Sequence, residues 1–167
     1  MKTLILCRHA KSDWPPGVSD LHRPLKSRGV RDANFLGGLL ADQAFCPDLI
    51  YTSPAERARQ TAEIIAAKLE FPGKLMEKEE VYFQGVEALM RLVRRVSPLQ
   101  DTVMIFGHNP TMEEAVQYLL SSGAPFFMPT GAMACLEMMR PDWQALGPGS
   151  VSLRWLLIPR LKRKEED

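Results

Sequence analysis

The sequence predicts an α/β protein, a three-layer α/β/α sandwich around a mixed, mostly parallel sheet of about six strands. Three observations predict it. Apolar runs of strand length lie at residues 4–7, 48–52 and 102–106, and stretches with apolar residues at helical spacing separate them. Each run breaks off at a polar or small residue: Arg8-His9, Ser53 and Gly107-His108. Strands of an open sheet end this way where they deliver side chains to its carboxyl edge. Two later runs, 132–138 and 151–158, have no helix between them and are expected to pair antiparallel through a connection at 141–149.

Size and composition agree with that class. The chain of 167 residues has the length of one domain, expected to span 1–159 and to leave a solvated tail at 160–167. Hydrophobic residues at 46% and charged residues at 25% suit a chain that folds around a core in water. The net charge of +1 comes from interspersed signs, which excludes the broad basic face of a nucleic-acid binder and makes any positive potential local. Cys7, Cys46 and Cys135 are odd in number and far apart in apolar settings, so three core thiols in a reducing compartment are expected. The apolar stretch after Lys2 is too short for a signal segment, and no run approaches the length of a membrane span. A cytoplasmic location without a membrane partner is the expectation.

In chain order, residues 11–24 are polar and contain Pro15, Pro16 and Pro24, which predicts a surface loop beside the site. Ser27 is a candidate cap for a helix with Val30, Ala33, Phe35, Leu36, Leu39 and Leu40 as its apolar stripe, ending near Phe45-Cys46-Pro47. Ser53-Pro54 has the cap-then-proline order that opens helices. Ala58, Thr61, Ala62, Ile64, Ile65 and Leu69 carry that helix toward Phe71-Pro72-Gly73. A short strand is expected within 74–80, then helices over 87–96 and 111–120, and a loop that runs to Gly131.

If the first three strands are parallel neighbours, Arg8, His9, Arg57 and His108 project from one sheet edge into one pocket. Arg57 falls in the first turn of its helix, where free amides and the dipole already favour an anion, whereas Arg59 is assigned to surface ion pairs. Two arginines and two histidines with no acid among them make a pocket for a phosphate dianion. The histidines lack the spacing of metal ligands and the arginines would repel a cation, so neither a metal nor a cofactor is expected.

These residues carry a resemblance. Arg8-His9-Ala10 is similar to the Arg-His-Gly signature of the histidine phosphatase superfamily, the phosphoglycerate mutase-like enzymes, with alanine in place of glycine. Ser53-Pro54 to Arg57 with Gln60-Thr61 resembles the family's second arginine motif, and Gly107-His108-Asn109-Pro110 its second histidine motif. Leu25-Lys26-Ser27-Arg28-Gly29 resembles the segment that opens the first long helix, and Thr130-Gly131-Ala132 the late turn near the site. The motifs follow the family's order along the whole chain, and the chain resembles the short SixA-type phosphohistidine phosphatases within it. Residues 1–159 would then be one histidine phosphatase domain with the phosphoglycerate mutase-like fold.

The resemblance implies His9 as the nucleophile of a covalent phosphohistidine intermediate, with Arg8, Arg57 and His108 gripping the phosphoryl oxygens and no metal. It implies a phosphohistidine-bearing protein as substrate and partner, in signal transduction. Lys11, Ser12 and Thr130 are candidate substrate-binding residues. Glu80 is the candidate proton donor to a leaving group, because mutases and phosphomonoesterases of the family place a glutamate soon after the third strand. Only about residues 77–85 stand where larger relatives carry a long insertion, which predicts an open site. The alternatives are a phosphomonoesterase acting on a small phosphate ester and a non-catalytic phosphate-binding adaptor; a full set including a nucleophile argues against the adaptor. Ala10 fits a tight loop only at negative φ.

Overall fold

In a computed structural model, described for residues 1–160, six strands form one sheet: β1 (Thr3–Arg8), β2 (Leu49–Thr52), β3 (Met76–Glu77), β4 (Thr102–Gly107), β5 (Met133–Met138) and β6 (Val151–Leu157). Their order is β3-β2-β4-β1-β5-β6, with the first four parallel and β5 antiparallel to both of its neighbours. Four helices, α1 (Ser27–Asp42), α2 (Glu56–Lys68), α3 (Gly85–Arg94) and α4 (Thr111–Leu120), cover it. The expected mixed, mostly parallel sheet is the one observed.

Alternation along the strands builds the three layers. Leu4, Leu6, Val103 and Ile105 point into one core with Leu89, Val93, Val116 and Leu119 of α3 and α4. Ile5, Cys7, Met104 and Phe106 point the other way, against Ala33, Leu36, Leu40 and Ile65 of α1 and α2. Both faces are sealed, so functional side chains can emerge only at the strand ends. There the register aligns them, since Arg8 stands opposite Gly107 and Thr52 opposite Phe106. The next residues, His9, His108 and Ser53, therefore leave the sheet together.

Several local expectations change. Neither Ser27 nor Ser53 stands at the N-cap: Lys26 and Ala55 precede the first turns of α1 and α2, neither with a side-chain cap, and Ser53 Oγ accepts the N–H of Ala55 just ahead of the helix. The stripe of α1 is narrower than its apolar content, because Val30, Phe35 and Leu39 are exposed. Gly37 explains part of this. A Cβ there would lie 2.9 Å from Lys68 Cβ, so α1 packs on α2 backbone to backbone over a slim face. Cys46 is exposed, unlike Cys7 and Cys135, since α1 stops at Asp42 and Ala44 turns the chain outward in the left-handed region at φ +53°. The strand expected within 74–80 shrinks to the two residues that pair with Tyr51 and Thr52. Of the expected tail, 161–167 lie outside the described residues, and Arg160 donates Nε to Asp32 Oδ1 at 3.2 Å. No helix among the described residues is long and apolar enough to cross a membrane.

Candidate active site

His9 is the first residue past β1, and its backbone is held at both ends. Its N–H donates to Gly107 O at 3.0 Å and its carbonyl accepts from Gly131 N at 2.9 Å. Gly131 makes that reach at φ +81°, where any side chain is disfavoured. The neighbouring Ala10 is fully buried at negative φ, so alanine meets the condition for its place, and its N–H donates to Thr61 Oγ1 at 3.0 Å.

The His9 ring has a fixed tautomer. Nδ1 lies 2.7 Å from Ala10 O, and a carbonyl only accepts, so Nδ1 carries the proton and Nε2 is bare. Burial, together with the charges of Arg57, Arg8 and Arg23, outweighs that hydrogen bond and lowers the ring's pKa from its usual 6.5 to about 4. At neutral pH the His9 ring is uncharged.

Three donors surround it. Arg57 in the first turn of α2 is buried, with Nη1 on Asp20 O at 2.6 Å and Nη2 on Asp20 Oδ2 at 3.0 Å. Arg8 ends β1 with Nη1 on Met128 O at 2.8 Å. The Met128 backbone is itself fixed, donating N–H to Glu113 Oε1 at 2.8 Å and accepting Asn109 Nδ2 at 3.0 Å. His108 Nε2 lies 2.8 Å from Ser53 Oγ, which already accepts the Ala55 N–H at 3.2 Å. Among the described residues His108 Nε2 is the one acceptor paired with the Ser53 hydroxyl, so the hydroxyl proton is assigned to that bond and the His108 proton to Nδ1. Arg8 Nε, Arg57 Nε and His108 Nδ1 are all buried without a hydrogen-bond partner among the described residues. Three unpartnered N–H groups, on two arginines whose charges act on His9 and on a histidine ring 5.2 Å from it, equal in number the three non-bridging oxygens of a phosphoryl group. Burial, then the charges of His9 and Arg57, lower the His108 pKa to about 3 against the opposing pull of Asp20, so this ring too is neutral.

The pocket expected without an acid contains one. A 3-10 turn at Asp20–His22 folds the loop of residues 11–24 back over α2 and sets Asp20 on Arg57. Asp20 also accepts Arg23 Nη1 on Oδ1 at 3.1 Å and the Tyr82 hydroxyl on Oδ2 at 2.8 Å. Burial raises its pKa, but the hydrogen bonds from Tyr82, Arg23 and Arg57 and the Arg57 charge prevail and hold it at about 2. The site is also less open than its short connection suggested. His9 is only 9% exposed. Phe83, at φ +54°, stacks on the His108 ring at 4.7 Å, and the His9 and His108 rings are 5.2 Å apart. A bulky side chain in the left-handed region is strained, and such residues cluster at functional sites.

The remaining candidates divide. Ser12 is buried and accepts Arg23 Nη2 at 2.9 Å, and Lys11 holds the start of α1 through its carbonyl while its side chain is exposed; both shape the loop that carries Asp20. Thr130 leads into the Gly131 turn that grips His9. Glu80 is not brought to His9. Its carboxylate pairs with Arg95 Nη2 at 2.9 Å, and its own backbone amide and Arg95 hold it below the usual carboxylate range. Arg59 pairs with Glu56 and Glu63, and His22 with Ser19 Oγ. The sequence did not point to Asp20, Tyr82 or Phe83 as site residues, and the helix-cap signal at Ser53 hid its place on His108. A cavity of about 560 Å³ lies at the far end of the sheet, lined by Thr3 and Thr102 where β1 and β4 begin, with Phe45 and Trp155; it holds none of these groups.

Comparison with known proteins agrees with this geometry. The model of the histidine phosphatase superfamily, branch 1, matches residues 4–83, which include Arg8, His9, Asp20 and Arg57. The uncharacterized protein Rv1276c of Mycobacterium tuberculosis H37Rv is 31% identical over 162 residues, covering 92% of this chain and 99% of its own. The chain belongs to the histidine phosphatase superfamily. Within that superfamily it is of the SixA type. The crystal structure of a candidate phosphohistidine phosphatase SixA from Agrobacterium tumefaciens superposes with a TM-score of 0.81 at 29% identity, over 95% of this chain and 98% of that one. A candidate SixA from Nakamurella multipartitia gives 0.80 at 28% identity, over 95% and 96%. The sheet and four helices are therefore the phosphoglycerate mutase-like fold of these histidine phosphatases, and the superfamily and its SixA members support a phosphatase.

Proposed function

We propose that this histidine phosphatase removes the phosphoryl group from phosphohistidine on a protein substrate, through a phosphohistidine formed on its own His9. The observation that carries this reading is the state of His9: neutral, with its proton fixed by Ala10 O and bare Nε2 amid the unpartnered donors of Arg8, Arg57 and His108. Nε2 attacks phosphorus while Arg8, Arg57 and His108 Nδ1–H hold the equatorial oxygens. In phosphoryl transfer such positioning and charge stabilisation supply most of the catalysis. No general base is needed, because the nucleophile has no proton to lose. Water then takes the phosphoryl group from His9.

The leaving group favours phosphohistidine over an ester. An alkoxide needs a proton as it departs, yet Asp20 and Glu80 are both acids held below the usual range, so neither is protonated near pH 7. Imidazole leaves without one. Trp14 and Phe83 are exposed aromatics on the loop that carries Asp20 and on the connection beside His108, as suits docking of a protein. Three free thiols suit a cytoplasmic role in signalling.

The test is phosphate release from a phosphohistidine-bearing protein and from p-nitrophenyl phosphate, in chelator, by wild type and His9→Ala. The reading expects preference for phosphohistidine and no turnover of either by the variant. A reversed preference would make the protein a small-molecule phosphomonoesterase, and phosphate binding without turnover would make it an adaptor.

A further inference from the structure

We propose that Asp20 is the residue that selects the leaving group, its carboxylate accepting a hydrogen bond from the far ring N–H of the substrate's phosphohistidine. The inference rests on the phosphohistidine reading above and adds a specificity determinant to it.

Position comes first. In-line displacement sends the leaving group away from His9 Nε2, and its proposed path lies beside Asp20, the partly exposed carboxylate bonded to the buried Arg57. The Arg57 side chain is 2% exposed, while the Asp20 carboxylate bonded to it is 34% exposed. The Asp20–Tyr82 bond joins this carboxylate to the histidines, since the Tyr82 ring is 5.6 Å from that of His108, which is 5.2 Å from His9. Asp20, through Tyr82, and the exposed Phe83, stacked on His108, are thus the side chains beside the histidines that a departing imidazole ring would meet on this proposed path.

Capacity comes next. A carboxylate has about four acceptor sites. Arg57 and Tyr82 take both on Oδ2, but Arg23 takes one on Oδ1, which leaves one for a ligand. The same three donors fix the carboxylate in place, so it needs little reorganisation to accept a fourth bond.

The chemistry then balances without a proton donor. A phosphoimidazole ring protonated on its far nitrogen is a cation at that end, and a fixed carboxylate favours that form. Nε2 of His9 forms a bond to phosphorus, the substrate's P–N bond breaks, and its electron pair stays on the departing nitrogen. The far N–H is retained, so the product is neutral imidazole, and the positive charge is now on the His9 ring. Water next breaks the P–N bond on His9, giving dihydrogen phosphate and a neutral His9. A phosphate ester has no N–H for Asp20, and an anionic leaving group is repelled by it.

The experiment compares kcat/KM for phosphohistidine and for p-nitrophenyl phosphate in wild type, Asp20→Asn and Tyr82→Phe, with inorganic phosphate as a competitive inhibitor. Loss of a hydrogen bond to a charged group predicts that the phosphohistidine-to-aryl ratio falls on the order of 10- to 100-fold in Asp20→Asn. It should fall less, in the same direction, in Tyr82→Phe. Inorganic phosphate should bind Asp20→Asn more tightly, because an acid beside the anion has gone; a merely structural role on Arg57 would weaken it. An unchanged ratio in both variants, or weaker phosphate inhibition with both substrates falling together, overturns the proposal. Wild type that cleaves only the aryl ester overturns the phosphohistidine reading, and this inference with it.

Discussion

Acidification isolates the two site histidines. His9 and His108 have folded pKa values lowered from 6.5 to about 4 and about 3, both by burial first. The sign follows from proton counts. Between pH 6.5 and 4 the unfolded chain binds protons at both rings while the folded chain does not, so stability falls as pH falls. Each ring costs about 1.4 kcal/mol per pH unit in that window, which makes about 4 kcal/mol for the pair between pH 7.5 and 5. Asp20 does not contribute there. Its folded pKa is lowered to about 2, so its stabilisation is complete above about 3.8 and is lost only below that. With a urea m-value of about 2 kcal/mol/M, the unfolding midpoint should drop by about 2 M over this range. His9→Asn has one fewer titrating ring and should show about half the drop. A midpoint that moves by less than a quarter of this, or an identical drop in the variant, would refute neutral, buried histidines as the resting state.

Arg57→Ala should lose on the order of 100-fold or more in kcat/KM with any phosphoryl substrate, and inorganic phosphate should cease to inhibit it at concentrations that inhibit wild type. Ser53→Ala removes the hydroxyl that assigns the His108 proton to Nδ1 and should lower kcat about tenfold with little change in KM, while Ser53→Thr restores it. Gly29→Ala should destabilise by about 1–3 kcal/mol, because its Cβ would lie 2.2 Å from Lys11 O at the root of the loop that carries Asp20. Gly38→Ala meets nothing within 4 Å in the same helix and should instead stabilise by about 0.5–1 kcal/mol in thermal unfolding.

What could be read in advance was whatever a short window of residues decides. β1, β2 and β4 announce themselves because strands buried on both faces are continuous apolar runs, and their ends carry Arg8, His9, Ser53 and His108 to one edge by register alone. Arg57 follows from its place in a first helical turn. Asp20 does not follow from any local pattern, since its partners Arg57 and Tyr82 are 37 and 62 residues away and meet it only when the loop folds back. Phe83 is similar: an aromatic after a short edge strand has no period to reveal that it stacks on His108. Glu80 was placed by analogy with a motif, and the structure turns it to Arg95 because a short 3-10 turn, Glu79–Val81, follows β3 and swings the carboxylate outward. Cys46 and Phe35 look like core residues from their neighbours, but the turn at Ala44 carries Cys46 outward past the end of α1, and a helix that packs over a slim face at Gly37 leaves Phe35 in water.

The most direct test of the central claim is to trap the intermediate. Wild type mixed rapidly with a phosphohistidine-bearing protein labelled on phosphorus, and quenched in alkali, should carry label on the peptide that contains His9, stable in base and lost in acid. His9→Ala should carry none. Label on another residue, or phosphate release by wild type at full rate with no labelled enzyme at any time, would contradict His9 as the nucleophile.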